Sequence, residues 1–149
     1  MNKASILIVD DNEGILETLS AILEEKGYRT DTAKNGREAI EKSKTNFYDL
    51  ALLDIRLPDI EGTKLLTKMK ETRPKTVKIM ITGYASLQNA VEALNLGADA
   101  YIMKPVDPEN LLKIINEKLK AHRETEKMNQ RKVAEWIETR ARKLEKELR

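Results

Sequence analysis

Short, mainly apolar runs recur along the chain, at Ser5 to Val9, Leu50 to Leu53, Val77 to Ile81 and Ala100 to Met103. They are too short for helices and too apolar for half-exposed hairpins, which is the pattern of strands buried on both faces. Each ends on polar or helix-breaking residues: Asp10-Asp11-Asn12, Asp54, Thr82-Gly83 and Lys104-Pro105. The stretches between them follow the helical period. Ile15, Leu16, Leu19, Ile22 and Leu23 form one stripe, Leu65, Leu66 and Met69 another, and Leu87, Val91 and Leu94 the face on which a fourth helix is built. Gly27 and Gly97 supply left-handed stops, Ser86 caps the fourth helix, and Arg73-Pro74 ends the third, because a residue before proline is pushed out of helical geometry. Tyr28 to Ala33 alternates like an edge strand. Asn35-Gly36 would suit a hairpin, but the helical pattern that follows makes it a cap, with Ala39 and Ile40 turned inward. Asp107-Pro108-Glu109 reads as a strong helix start, with the Asp107 carboxylate as the cap.

Strand and helix thus alternate five times, which predicts an α/β, doubly wound, five-stranded parallel sheet with helices on both faces and a further helix at the C-terminus. Right-handed crossovers favour the order 2-1-3-4-5, in which the ends of strands one and three lie side by side at the switch point where such sheets bind ligands. Those two ends carry Asp10, Asp11 and Asp54.

Length and charge narrow the picture. A chain of 149 residues suits one compact unit, residues 4–120, with an appendage at 121–149. Its 27 lysines and arginines nearly balance 25 aspartates and glutamates, so no overall field asks for nucleic acid or membrane. Nine of the basic and six of the acidic residues lie from Ala121 onward, which makes the tail the basic part. There is no cysteine, and no apolar stretch approaches the roughly 20 residues of a membrane span. The expectation is a soluble cytoplasmic protein.

Three carboxylates crowded into one cleft repel unless a cation neutralises them, and hard oxygen ligands without histidine or cysteine favour Mg2+. The Lys104 ammonium, the Thr82 hydroxyl and the Gly83 backbone N–H suit the remaining oxygens of a phosphoryl group. A carboxylate can attack phosphorus without a separate base, so the residues point to an aspartyl phosphate on Asp54.

Together, Asp10-Asp11, Leu53-Asp54 with Pro58 and Gly62 downstream, Ile81-Thr82-Gly83 and Tyr101-Ile102-Met103-Lys104-Pro105 resemble the motif set of two-component response-regulator receiver domains, chemotaxis receivers among them. The likeness runs from about Ala4 to about Leu119. It implies that Asp54 is the phosphoacceptor and that Asp11, Asp54 and the Arg56 carbonyl ligate magnesium, with Asp10 acting mostly through water. It implies further that Lys104 pairs with the phosphoryl group and that Thr82 moves toward it, letting Tyr101 rotate inward and changing the face made by helix four, strand five and helix five. The bond before Pro105 is expected in cis. Arg56 and Tyr84 hold positions that tune dephosphorylation. A sensor histidine kinase is the implied partner, and the family reading makes the chain a signalling phosphoprotein, catalysing only its own phosphoryl transfer and dephosphorylation.

The tail is dense in Glu, Lys and Arg and reads as helix, with Val133, Ile137, Ala141, Leu144 and Leu148 on one face and Trp136 beside it. It could dimerise, as could the helix four to helix five face. Direct nucleic-acid binding is disfavoured because acids are interleaved with the basic residues. His122, the only histidine, reads as solvated surface. Two alternatives stand beside a complete regulator. One is the receiver and linker of a longer transcriptional regulator. The other is an aspartate-nucleophile phosphatase, which would need a carboxylate two positions after Asp54, where this chain has Arg56.

Overall fold

The computed structural model of the protein describes residues 4–83 and 87–148. Five strands, β1 (Ser5–Val9), β2 (Arg29–Ala33), β3 (Leu50–Asp54), β4 (Val77–Thr82) and β5 (Ala100–Met103), form one sheet in the order β2-β1-β3-β4-β5, and every pairing is parallel. The helices are α1 (Glu13–Glu25), α2 (Gly36–Thr45), α3 (Gly62–Thr72), α4 (Leu87–Asn95) and α5 (Pro108–Glu147). Fold class and strand order are those expected from the alternation of elements.

Period-two alternation divides each buried strand between two cores. Ile6, Ile8, Leu50, Leu52, Ile79 and Ile81 meet Leu16, Leu19 and Leu23 of α1 and Leu111, Ile115 and Leu119 of α5. Leu7, Val9, Ala51, Leu53 and Met80 face the opposite way, onto Ala39 of α2, Leu65, Leu66 and Met69 of α3, and Ala93 of α4. Gly27 and Gly97 end α1 and α4 with φ of 88° and 105°, the left-handed geometry that a glycine C-terminal stop requires.

Several local expectations are corrected. Val91 and Leu94 of the expected α4 stripe are turned outward, 47% and 49% exposed, and the small Ala93 packs inside instead. A methyl side chain lets the helix backbone approach the sheet, and the larger residues on the other side are left to solvent. Asp107 occupies the N-cap of α5, yet its side chain makes no capping hydrogen bond. His122 is half-buried and lines a cleft of about 290 Å³ with Arg29, Phe47, Asp49 and Lys75. The reason is that α5 is docked on the sheet one turn further than the apolar pattern indicates, and Glu126 still reaches Lys75 at 3.5 Å. Ser86, the predicted cap of α4, lies outside the described residues. Between Lys120 and Ala121 the helix continues without a break.

Candidate functional site at the strand ends

The buried strands stop where their apolar runs stop, so the polar residues that close them collect at one edge of the sheet. Asp54 is the last residue of β3 and Thr82 the last of β4; both are buried, as is Asp10, which follows β1. Oxygens of Asp10, Asp11 and Asp54 lie within 4.8 Å of one another. Lys104, just past β5, donates from Nζ to Asp10 Oδ2 at 2.8 Å and stands 3.6 Å from Asp54 Oδ2. Its own backbone N–H donates to the Thr82 carbonyl at 2.8 Å, which ties the β4 and β5 ends together. The Lys104-Pro105 peptide is cis, as expected.

Burial pushes the Asp54 carboxyl above its ordinary range, and the neighbouring Asp10 charge adds to the rise, while Lys104 and the Arg56 N–H oppose it. A carboxylate whose charge burial makes costly is one that a cation or a phosphoryl group with its counter-charges would relieve. The donor set is all oxygen and fits a hard divalent metal such as magnesium.

The loop after β3 is held by contacts from both ends. An isolated antiparallel backbone bridge joins Arg56 to Glu61 across it, and the Gly62 N–H donates to the Ile55 carbonyl at 2.7 Å. A Cβ on Gly62 would fall 2.5 Å from the Asp54 carbonyl oxygen and 2.5 Å from Ile55 Cα, so only glycine lets α3 start this close to the strand end. At the tip, Asp59 accepts from the backbone N–H groups of Gly36 and Arg37 at 2.9 Å each, capping α2 from across the fold. Those two donors lower the Asp59 carboxyl pKa. Sequence reading missed this latch, drawing only on Pro58 and Gly62 from the loop. The 23-residue separation leaves no local signal for it.

Of the other predicted residues, Tyr101 on β5 is half-buried against the second core, and burial raises its hydroxyl pKa. The Arg56 side chain is exposed, while its N–H approaches Asp54 Oδ1 at 3.5 Å, a long contact. Tyr84 lies outside the described residues. No described helix is long and apolar enough to cross a membrane.

Residues 6–116 match the response regulator receiver domain family. Among solved structures, the chain resembles a CheY-like response regulator receiver domain protein from Methanospirillum hungatei JF-1, with 51% identity and a TM-score of 0.81 over 83% of this chain and 99% of that one. It also resembles a response regulator protein from Burkholderia pseudomallei whose crystal structure holds a phosphorylated aspartic acid, a calcium ion and citrate. There the identity is 30% and the TM-score 0.73, over 84% of this chain and 73% of that one. A curated relative, the regulatory protein AtoC of Escherichia coli (strain K12), is 39% identical over 114 residues, or 76% of this chain. The chain spans 25% of that relative's length.

Proposed function

The chain belongs to the response regulator receiver domain family, and from that premise we propose that Asp54 accepts a phosphoryl group from a sensor histidine kinase and that the domain switches conformation to control a downstream output. The observation that carries the reading is the buried Asp54 carboxylate at a strand end, with Lys104 3.6 Å away and two further carboxylates beside it. The phosphorylated aspartic acid and calcium ion in the Burkholderia relative support it.

An Asp54 oxygen forms the new O–P bond while the P–N bond of the donor's phosphohistidine breaks, and the imidazole nitrogen keeps the bonding pair. Such a transfer depends on positioning and charge neutralisation. Magnesium, held by Asp11, Asp54 and the Arg56 carbonyl, with Asp10 acting mostly through water, would supply part of that neutralisation. Lys104, which now bridges Asp10 and Asp54, moves its charge toward the phosphoryl oxygens, and the buried Thr82 hydroxyl donates to another. The Thr82 shift frees Tyr101 to turn further inward, and the outcome is read on the face made by α4, β5 and α5, where Val91, Leu94 and Met103 are exposed. Arg56 and Tyr84 tune how long the acyl phosphate lasts. On this reading the exchange takes place in the cytoplasm, and the chain's catalysis is limited to its own phosphoryl transfer and dephosphorylation.

A second reading, that residues 4–120 are the receiver and 121–149 the linker of a longer transcriptional regulator, is favoured by AtoC, which is about four times the length matched here.

The test is labelling with a phosphohistidine kinase domain or a small phosphodonor in the presence of Mg2+. Parent protein should take up an alkali-labile label and Asp54→Asn none; label retained in that variant would move the acceptor elsewhere.

A further inference from the structure

The edge of the sheet away from Asp54 carries a cleft of about 290 Å³ that the phosphoryl chemistry does not use. The starts of the strands meet α5 there. Arg29 opens β2, Lys75 precedes β4, and His122 and Arg123 come from the turn of α5 just before the helix becomes fully exposed. Phe47 and Leu119 supply apolar surface between these polar groups.

The charges in the cleft are not all matched. Lys75 is held by Glu126 at 3.5 Å. The Asp49 carboxylate, also in the lining, accepts from the Ser5 backbone N–H at 2.8 Å and the Ser5 hydroxyl at 3.2 Å. The guanidinium groups of Arg29 and Arg123 make no hydrogen bond or ion pair with any described residue. Leaving His122 aside, three cations stand against the two carboxylates of Asp49 and Glu126, and the excess lies with the arginines. An open guanidinium suits a phosphate, whose oxygens accept two parallel hydrogen bonds from its planar fork. Phe47 adds a second kind of contact. It is 49% exposed, and the Arg73 guanidinium stands 5.9 Å from its ring centroid. Arg73 is itself anchored to the Ser43 carbonyl at 2.8 Å, so the ring has a fixed neighbour. An exposed aromatic ring of this kind holds a planar base by stacking, whatever the base.

We propose that the cleft binds a small phosphorylated molecule with a planar, nucleotide-like body, its phosphate on Arg29 and Arg123 and its body against Phe47 and Leu119. Arg29 and Phe47 also line a second hollow of about 270 Å³, so a body too long for one can reach into the other. The occupant joins α5 to the start of β2 just before the helix comes clear, which gives the domain a second input that needs neither Asp54 nor a kinase.

The test is calorimetric titration of the full chain in EDTA, which suppresses metal-dependent binding at Asp54, with adenosine monophosphate, inorganic phosphate and adenosine as probes. The nucleotide should bind more tightly than either of its halves. Arg29→Gln and Arg123→Gln should each weaken it roughly ten-fold, the loss expected for a charge-assisted hydrogen bond. Arg131→Gln removes the same charge from the exposed segment and should leave the affinity unchanged. All three arginines are exposed, so melting temperatures equal to that of the parent check that the variants fold. In amide NMR spectra the nucleotide should move the signals of Phe47 and Leu119 and leave those of Asp54 and Thr82 in place. Absence of nucleotide binding, equal weakening by all three substitutions, or shifts centred on Asp54 would overturn the site. Phosphate bound as tightly as the nucleotide would overturn the planar body.

Discussion

Lys78 is the residue whose chemistry departs most from its place in the sequence. It interrupts the apolar run of β4, is 2% exposed, and donates from Nζ to the Arg73 carbonyl at 2.6 Å. Burial pulls its pKa down to about 8, with Lys70 adding to the fall and Asp99 opposing it. Below about 8 the amine is protonated in both folded and unfolded chains, and the fold carries the full cost of burying the charge. Between about 8 and 10.5 the unfolded chain holds a proton that the folded one has released, so this group makes stability rise with pH across that window. Lys78→Met should therefore stabilise the protein at pH 7. The shift is worth about 3 kcal/mol, and the lost hydrogen bond to Arg73 takes back about 1 kcal/mol, leaving a net gain of about 2 kcal/mol. The gain should fade toward pH 10. Urea unfolding at the two pH values checks it, and a gain that persists undiminished at pH 10 would mean that packing, not charge, is responsible. The strand itself was legible because its neighbours are apolar; that its one charged residue points into the second core is a matter of parity that the apolar run conceals. The strand-end positions of Asp54, Thr82 and Lys104, by contrast, were legible, since each closes such a run and the termination is local, although only their conjunction pointed to a site.

Among the elements, α2 and the loop after β3 depend on each other through Asp59. An anion at a helix N-terminus satisfies otherwise unpaired N–H groups and meets the positive end of the dipole. Asp59→Ala should cost about 1 kcal/mol of stability, as for other lost caps. It should also weaken Mg2+ binding, because the loop it anchors carries Arg56. Unfolding by urea and calorimetric titration with Mg2+ separate the two effects; unchanged metal affinity with reduced stability would confine Asp59 to a structural role. Since the cap lowers the Asp59 pKa, its contribution is present above 3.8 and declines as pH falls below that value. The outward turn of α4 belongs to this scale as well. A helical stripe shows that Leu87, Val91 and Leu94 share a side, but not which side the domain takes, and a single Ala93 decided it. Element order and sheet topology, which follow from periodicity and crossover handedness, were legible in full.

For the molecule as a whole, α5 divides at Glu126. Leu111, Ile115 and Leu119 bury one flank, His122 lines the cleft beside Asp49, and Glu126 pairs with Lys75, after which the residues to 148 are exposed. A chain shortened after Glu126 should unfold at the same temperature as the full chain. One ending at Leu119 should melt lower by a small amount, since it loses the His122 packing and an exposed ion pair worth under about 1 kcal/mol. Calorimetric melting distinguishes the two. A fall on the first truncation would mean that the free segment contacts the domain. Where α5 comes away from the sheet was not legible, because the contacts that hold His122 and Glu126 come from residues near the starts of other strands. The site occupies one edge of the sheet and the helix departs from the other, so α5 is a lever with its pivot inside the domain. At about 1.5 Å per residue, the free arm from Lys127 to Leu148 is about 33 Å long, and a change of about 5° in the seating of the buried flank carries its tip by about 3 Å. Displacements too small to disturb the packing at the pivot thus emerge at the far end as a full atomic diameter of travel.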